Sequence, residues 1–347
     1  MLHSASPPSE MPTARRSREP TMHRSLARIG AALAAGLLAL TTAAGPAASA
    51  PAPGPAPAPA EELEQAPAAA SHRVLAFYQT IYETGSDGVR RYVDPTPLLG
   101  SVTDVNVGAI HLNSDASLTV NDIPADHAEL DVMWDDLATM QDQGVTVSAF
   151  LGGAAPGTYR YLREDFDRFY PVLRDFLRTY GLDGVDLDIE ETFSLADTVH
   201  LIDALRADFG PDFIVTLTPV ATDMAGRTSF SGGFSYAELE RQAGDRIDWY
   251  NTQFYCGWGD LRTTTVYDQI LANGFTPDRV VAGTVTNPGN CSGYVDWPTF
   301  DATVGSLVAQ HADFGGVFGW EYFNSVGYDG GARETWFSHA ADVVAGR

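Results

Sequence analysis

From residue 72 onward, short apolar runs alternate with longer segments in which apolar residues recur every three or four positions. Short apolar runs are typical of buried β-strands, and the longer periodic segments are typical of amphipathic helices. The pattern predicts strands at 73–78, 105–112, 145–151, 184–190, 213–219, 250–255, 280–285 and 315–320. It predicts helices at 128–143, 163–180, 195–209, 236–243, 266–273, 297–310 and 335–344.

Strands that alternate with helices in this way favour a parallel sheet of the α/β class. Eight such units in residues 71–347 predict a single (β/α)8 TIM barrel, a fold of about 250 residues. The active site of such a barrel lies at the C-terminal ends of its strands. We therefore expect the catalytic side chains where the predicted strands end.

The first 70 residues are expected to lie outside the barrel. Residues 1–50 are interpreted as a signal peptide with an extra N-terminal extension, which would be absent if translation begins at Met22. A basic start, an apolar run at 29–40 and a final Ala-Ser-Ala are the three parts of a secretory signal. Residues 51–70 are mostly Pro and Ala and predict an extended linker. These features predict a secreted, extracellular protein.

The chain carries 45 acidic residues against 21 basic ones, and all of the basic residues are arginine. The charges of the first 70 residues cancel, so the net charge of −24 lies on the predicted barrel. Such an acidic surface argues against nucleic acid or an anionic membrane as a partner. The two cysteines, Cys256 and Cys291, form an even count, which in an exported chain favours a disulfide.

One predicted strand carries acids at every second position. Residues 182–192 read LDGVDLDIEET, so Asp186, Asp188 and Glu190 share one face of the strand and apolar residues occupy the other. A half-exposed edge strand would explain this pattern, but strands within a parallel series are covered on both faces. In a barrel the acids would face the lumen, where burial and like charge raise the pKa of at least one of them. A carboxylic acid kept protonated in this way can act as a general acid at neutral pH.

A metal site is a second explanation for the acids, since Asp-x-Asp can hold a hard cation. Acids at every second position of one strand are about 6–7 Å apart, too far for all of them to bind one ion. We therefore expect no metal, and no organic cofactor.

The segment Asp183-Gly184-Val185-Asp186-Leu187-Asp188-Ile189-Glu190 resembles the DGxDxDxE motif of glycoside hydrolase family 18. The resemblance implies that Glu190 is the general acid and that Asp188 orients the N-acetyl group of the substrate. It further implies that Asp186 shares a proton or a hydrogen bond with Asp188, so that the two acids titrate as a unit.

The same resemblance implies roles for residues at the ends of other strands. Tyr255 would donate to the acetamide oxygen, and Trp320 would form the floor under the sugar ring. Gly152 and Gly153 follow strand three, where the family often has S-x-G-G; this chain has Phe150 in place of the serine. Without the acidic strand, a buried tyrosine would more often be core. Core packing is the alternative for Trp320, and a simple turn is the alternative for the paired glycines.

Further residues are candidates for substrate binding because of their places in the pattern. Asn251 and Gln253 share the face of strand six with Tyr255. The others are His111 at the end of strand two, Trp258 just past strand six, Asp183 at the start of the motif, and Glu321 after Trp320. A lone histidine such as His111 is more often structural.

The substrate is expected to contain linked N-acetylglucosamine units. Chitinases of the family usually read D-W-E-Y-P around the acid and M-x-Y-D on strand six, and this chain has neither. Stretches such as 152–157, 205–210, 251–255 and 319–325 instead resemble secreted endo-β-N-acetylglucosaminidases, which cleave the chitobiose core of N-linked glycans. A chitinase and a barrel that binds sugars without cleaving them are the alternatives. We expect a monomer in each case.

Overall fold

The computed structural model describes residues 72–347, and the predictions for residues 1–50 and 51–70 lie outside that range. Eight parallel strands of this part of the chain form a closed barrel, because the first strand pairs with both the second and the last. The strands are β1 Arg73–Tyr78, β2 Asp104–Leu112, β3 Thr146–Gly152, β4 Gly184–Asp188, β5 Ile214–Leu217, β6 Trp249–Gln253, β7 Val280–Val285 and β8 Gly316–Trp320. The predicted (β/α)8 fold is confirmed.

The α-helices surround the barrel. Those found within residues 72–347 are α1 Asp131–Asp142, α2 Thr158–Glu164, α3 Phe166–Thr179, α4 Leu195–Phe209, α5 Ala221–Met224, α6 Tyr236–Ala243, α7 Thr265–Ala272, α8 Trp297–Gln310 and α9 Thr335–Val344. The helix predicted at 163–180 is wrong at its start, because Asp165 has a non-helical backbone, with φ −152° and ψ 71°, that separates α2 from α3. α4 begins as its sequence predicts, with a capping box between Ser194 and Asp197.

The barrel lumen has an apolar lower part. Leu75, Phe77, Trp249 and Phe318 belong to one buried cluster inside it. The ring of Phe318 occupies the space that a side chain at position 283 would need, so a glycine is required on the neighbouring strand β7. This packing fills the lower part of the lumen.

Two short antiparallel additions lie at that end. Tyr82–Thr84 pairs with Arg90–Tyr92 in the loop after β1. Leu118–Val120 pairs with the end of β2 and with Ile123–Pro124, which extends the sheet above the barrel rim. In residues 72–347 we find no helix of the length and apolar character needed to cross a membrane.

Candidate active site

A cavity of about 420 Å³ opens at the C-terminal ends of the barrel strands. Nine of the residues predicted from the sequence line it: His111, Gly152, Gly153, Asp188, Glu190, Gln253, Tyr255, Trp258 and Trp320. They come from β2, β3, β4, β6 and β8 or from the loops that follow, so the barrel brings together residues that are far apart in sequence. The location agrees with the prediction for this fold.

Asp188 and Glu190 are the acids of this cavity. β4 ends at Asp188, so Glu190 lies two residues beyond the strand rather than at its last position as predicted. Asp188 is 4% exposed. Burial, followed by the charges of Glu190 and Asp186, holds the pKa of Asp188 well above its ordinary value. The pKa of Glu190 is also raised by burial, and a hydrogen bond from Gln253 opposes that rise. Two adjacent carboxyl groups that resist ionisation can retain a proton at neutral pH.

Asp186 lies below the cavity and is fully buried. Its carboxylate accepts hydrogen bonds from the hydroxyls of Thr216, at 2.6 Å, and Thr218, and from Nδ2 of Asn251 at 2.8 Å. Burial raises the pKa of Asp186, and these three donors oppose the rise. Within residues 72–347 the hydrogen bonds of this carboxylate go to these three donors and not to Asp188, so the predicted hydrogen bond between the two acids is not formed in this structure. Asp186 acts on Asp188 through its charge.

Gly152 and Gly153 form the wall beside Asp188. Both have a positive φ, +94° and +85°, which side chains rarely adopt. A Cβ at position 152 would overlap the ring of Tyr159 and lie 2.6 Å from the backbone oxygen of Asp188. A Cβ at 153 would lie 3.4 Å from Asp188 Oδ2. The absence of side chains here lets the backbone approach the acid closely.

Trp320 forms one face of the cavity and packs on aromatic neighbours. Its ring centroid lies 5.4 Å from that of Phe77 and 6.0 Å from that of Phe150. Its backbone oxygen accepts bonds from Thr286 N and Asn290 Nδ2, both at 2.9 Å. The indole is thus held as a fixed surface on which the apolar face of a sugar can pack.

Tyr255 lies two residues past the end of β6 and is 4% exposed. Burial, and then the nearby carboxyl groups, raise the pKa of its hydroxyl well above the ordinary value. The hydroxyl therefore stays a hydrogen-bond donor. The next residue, Cys256, forms a disulfide with Cys291, so the predicted pairing is confirmed.

Three residues predicted to bind substrate have other places in the structure. Asp183 precedes β4 at the opposite end of the barrel, where its carboxylate accepts from Val147 N at 2.8 Å. Asn251 is fully buried and bonds Asp186. Glu321 is 7% exposed and accepts from the backbone of Gln79 and Thr80. None of the three lines the cavity, so the prediction that they bind substrate is wrong. Asn251 holds Asp186, Glu321 holds the segment after β1, and Asp183 lies away from the site.

Other lining residues were not predicted: Gln79, Ala109, Phe150, Ala154, Ala155 and Cys256. Most are apolar or carry no pattern that distinguishes them from core. Thr216 and Thr218 were also missed, although two threonines at alternate positions of the predicted strand 213–219 could have indicated a polar face beside the acidic strand.

Comparison with known proteins agrees with this geometry. The sequence profile of the glycosyl hydrolases family 18 matches residues 73–287. The chain belongs to this family. A fungal endo-β-N-acetylglucosaminidase of glycosyl hydrolase family 18 has a similar structure, with 37% sequence identity and a TM-score of 0.73 over 78% of this chain and 97% of that one. The chitinase ChiC from Aspergillus fumigatus is 42% identical, with a TM-score of 0.70 over 77% of this chain and 98% of that one.

Among curated proteins, Chitinase 2 of Rhizopus oligosporus is 29% identical over 205 residues, or 54% of this chain. Endochitinase 4 of Metarhizium robertsii is 23% identical over 225 residues. The matched regions span 35% and 65% of the lengths of these two relatives.

Proposed function

We propose that the protein is a retaining glycosidase that cleaves the β-1,4 bond between two N-acetylglucosamine units in the core of N-linked glycans. The observation that carries the proposal is the pair of acids formed by the buried Asp188 and the half-buried Glu190, which share the cavity with Tyr255 and Trp320. An acid held protonated beside a second carboxyl group, over an aromatic floor, has the chemistry that glycosidic bond cleavage requires.

In the proposed reaction the substrate supplies the nucleophile, as in other enzymes of this family. Glu190 protonates the glycosidic oxygen as the bond from that oxygen to C1 breaks. The carbonyl oxygen of the 2-acetamido group forms a bond to C1 and gives an oxazolinium ion. Asp188 orients the acetamide N–H, and Tyr255 donates to the acetamide oxygen. Water then attacks C1 as the bond from C1 to the acetamide oxygen breaks, and it gives its proton to the ionised Glu190. The product is released with retained configuration.

The surroundings of the cavity support a branched substrate. A second cavity of about 260 Å³ shares Gln79 with the catalytic cavity. A third, of about 340 Å³, shares His111 and Ala155 with it. Asn121 and Asp122 line both of these side cavities and lie between them. A branched glycan can place one arm in each side cavity, whereas a linear chain would fill only one.

Chitin is the second candidate substrate. The observation that favours it is the 42% identity to the Aspergillus fumigatus chitinase, which exceeds the 37% identity to the fungal endo-β-N-acetylglucosaminidase. The proposed chemistry is the same for both substrates, because chitin also carries a 2-acetamido group at each unit.

We further propose that the protein is secreted, acts as a monomer and uses no metal or organic cofactor. The disulfide between Cys256 and Cys291 supports export, because such bonds persist in oxidising compartments. The acidic surface supports neutral glycans, rather than nucleic acid or membranes, as partners.

The test is the mass of a glycoprotein that carries high-mannose N-glycans, measured before and after incubation with the protein. Tetra- or penta-N-acetylchitooligosaccharide is treated in parallel, and Glu190→Gln is the control variant because it removes the proton donor while keeping the shape. We expect the glycoprotein to retain one N-acetylglucosamine on each asparagine, and the control to leave it unchanged.

Shortened chitin beside an intact glycoprotein would replace the proposal with a chitinase. No change in either substrate would favour a barrel that binds sugars without cleaving them. Full turnover by Glu190→Gln would refute the assignment of the general acid.

A further inference from the structure

Three asparagine side chains hold the chain segment that carries Trp320. Asn287 and Asn290 lie in the loop after β7, and Asn324 lies four residues beyond Trp320. All three asparagines are half-buried, and none of them lines the catalytic cavity. We name Asn287, Asn290 and Asn324 the asparagine clamp.

The pairing of β7 with β8 ends at Trp320, and a side chain supplies the next hydrogen bond. Trp320 is opposite Val285 in the sheet, and its carbonyl oxygen accepts from Thr286 N at 2.9 Å. The same oxygen accepts a second hydrogen bond from Nδ2 of Asn290, also at 2.9 Å. Both lone pairs of this oxygen are therefore used, and the peptide that follows the indole has a fixed orientation.

Asn290 is itself held in place by Asn324. Nδ2 of Asn324 donates to Oδ1 of Asn290 at 2.6 Å, and Nδ2 of Asn290 lies 3.3 Å from Oδ1 of Asn324. The two amides thus pair reciprocally. Nδ2 of Asn287 donates to the backbone oxygen of Asn324 at 2.7 Å. Because every amide group of the clamp is hydrogen-bonded, the three side chains share one defined arrangement.

The clamp also connects two sides of the cavity. Asn290 directly precedes Cys291 in the loop after β7. The disulfide joins Cys291 to Cys256, the residue that follows Tyr255. A covalent anchor next to Asn290 limits the movement of its amide relative to Trp320.

We propose that Asn290 is a positioning residue whose amide fixes the orientation of Trp320, on which the sugar ring packs. This inference rests on the proposed function, in which the indole forms the floor of the sugar site. Asn290 does not line the cavity, so it acts through Trp320. An aromatic surface helps the reaction only at the correct distance and angle from the reacting bond. A small rotation of the peptide of Trp320 should therefore reduce the rate.

The experiment replaces Asn290 with aspartate, which has almost the same shape. An ionised aspartate still accepts hydrogen bonds but cannot donate one to the carbonyl of Trp320. A protonated aspartate can donate again, so lowering the pH restores the missing donor within the same variant. The measurement is kcat/KM of the full-length protein between about pH 4 and 8. A high-mannose glycopeptide and a penta-N-acetylchitooligosaccharide are the two substrates.

Asn273→Asp is the matched control. Asn273 is also half-buried, and its Nδ2 donates to the backbone oxygen of Met224 at 2.8 Å, away from the catalytic cavity. The control therefore loses the same kind of hydrogen bond and gains the same charge. Thermal unfolding of each variant shows how much stability each substitution removes.

We expect Asn290→Asp to lower kcat/KM roughly tenfold at about pH 7.5, as the displacement of one positioned group would. The deficit relative to the wild type should shrink to about threefold or less near pH 4, where aspartate regains its proton. Asn273→Asp should stay within about twofold of the wild type at every pH, even where its melting temperature falls by a similar amount.

A second test uses the indole itself. The variant Trp320→Ala has no ring to position. The further substitution Asn290→Asp should therefore lower kcat/KM by less than about twofold in that background, because the two residues act as one unit.

Unchanged kcat/KM in Asn290→Asp at neutral pH would overturn the inference. An equal deficit in Asn273→Asp, a deficit that does not shrink at low pH, or a full additional loss in the Trp320→Ala background would overturn it as well. A wild-type protein that cleaves neither substrate refutes the proposed function, and the inference then fails with it. Cleavage by the wild type therefore distinguishes the two failures.

Discussion

The side-chain amide nitrogen of Gln253 lies 3.4 Å from Oε1 of Glu190. The same nitrogen lies 3.4 Å from Oδ1 of Asp188 and donates to Thr218 O at 2.9 Å. One amide group thus faces both acids of the cavity and is oriented by the backbone of Thr218, the residue that follows β5. Its hydrogen bond favours the ionised form of Glu190 and so opposes the effect of burial on that pKa.

Replacing Gln253 with leucine is expected to move the alkaline limb of the pH profile to higher pH. Without the amide donor, the pKa of Glu190 rises further above its ordinary value, so the general acid stays protonated over a wider range. The measurement is kcat/KM between about pH 4 and 9. Gln79→Leu makes the same chemical change elsewhere in this cavity and should leave the limb in place. An unmoved limb in Gln253→Leu would contradict the role given to the amide.

Asp188→Asn is expected to make the protein inactive and more stable. The pKa of Asp188 is raised by folding, so the stability contributed by its protonated form is present at low pH and lost as pH rises through the folded pKa. The side chain of asparagine does not titrate, so the variant does not lose this stability as pH rises. We expect a melting temperature about 2–4 °C higher at neutral pH, a difference that shrinks as pH falls, and a rate at least about a hundredfold lower.

The measurement is thermal unfolding across pH, paired with kcat on the same samples. A melting temperature below that of the wild type at neutral pH would show that the carboxylate stabilises the fold instead.

The residues predicted correctly from the sequence are those whose pattern is local. Asp186 and Asp188 alternate with apolar neighbours, and the period of a β-strand alone puts them on its lumen face. The place of Trp320 in the cavity was predicted because this residue ends a recognisable strand. The barrel itself follows from eight repeats of one local pattern.

The residues that were misjudged depend on partners distant in sequence. The motif places Asp183 next to the catalytic strand, but only the fold puts it at the opposite end, against the backbone of Val147. Glu321 follows Trp320 directly, yet its partners are the amides of Gln79 and Thr80, 241 to 242 positions away.

Glu191, the neighbour of the proposed general acid Glu190, is expected to position the wall of the cavity. Its Oε1 accepts from Gly157 N and Tyr159 N, both at 2.9 Å, and so holds the loop after β3 that carries Ala154 and Ala155. Glu191→Ala should raise KM several-fold with a smaller change in kcat, and should lower the free energy of unfolding by about 1 kcal/mol.

Glu191→Gln separates this role from acid–base chemistry. Its amide oxygen still accepts hydrogen bonds, so we expect KM near that of the wild type and an unchanged pH profile. If Glu191→Gln instead loses turnover or shifts the profile, the carboxylate takes part in proton transfer. Steady-state kinetics at several pH values distinguishes the two.

The disulfide is expected to support both the fold and the site. Cys256 lines the cavity between Tyr255 and Trp258, and its N–H donates to Ser292 O at 2.7 Å. A loop of about 35 residues closed by this bond stabilises the fold by roughly 3–4 kcal/mol in the loop-entropy description. The double variant Cys256→Ser, Cys291→Ser should lose about that much free energy of unfolding.

Loss of the disulfide is expected to lower activity through the residues that flank Cys256. Residue 293 is a glycine, and a Cβ added there would lie 2.8 Å from the Cα of Tyr255. The loop that contains Cys291 therefore packs directly against that tyrosine. Releasing the bond frees this loop and should lower kcat/KM at temperatures where the protein is still folded. Reductant should have the same effect on the wild type and none on the double variant. Wild-type activity that is insensitive to reductant, with the bond shown to be reduced by thiol titration, would mean that hydrogen bonds and packing alone hold Tyr255 in place.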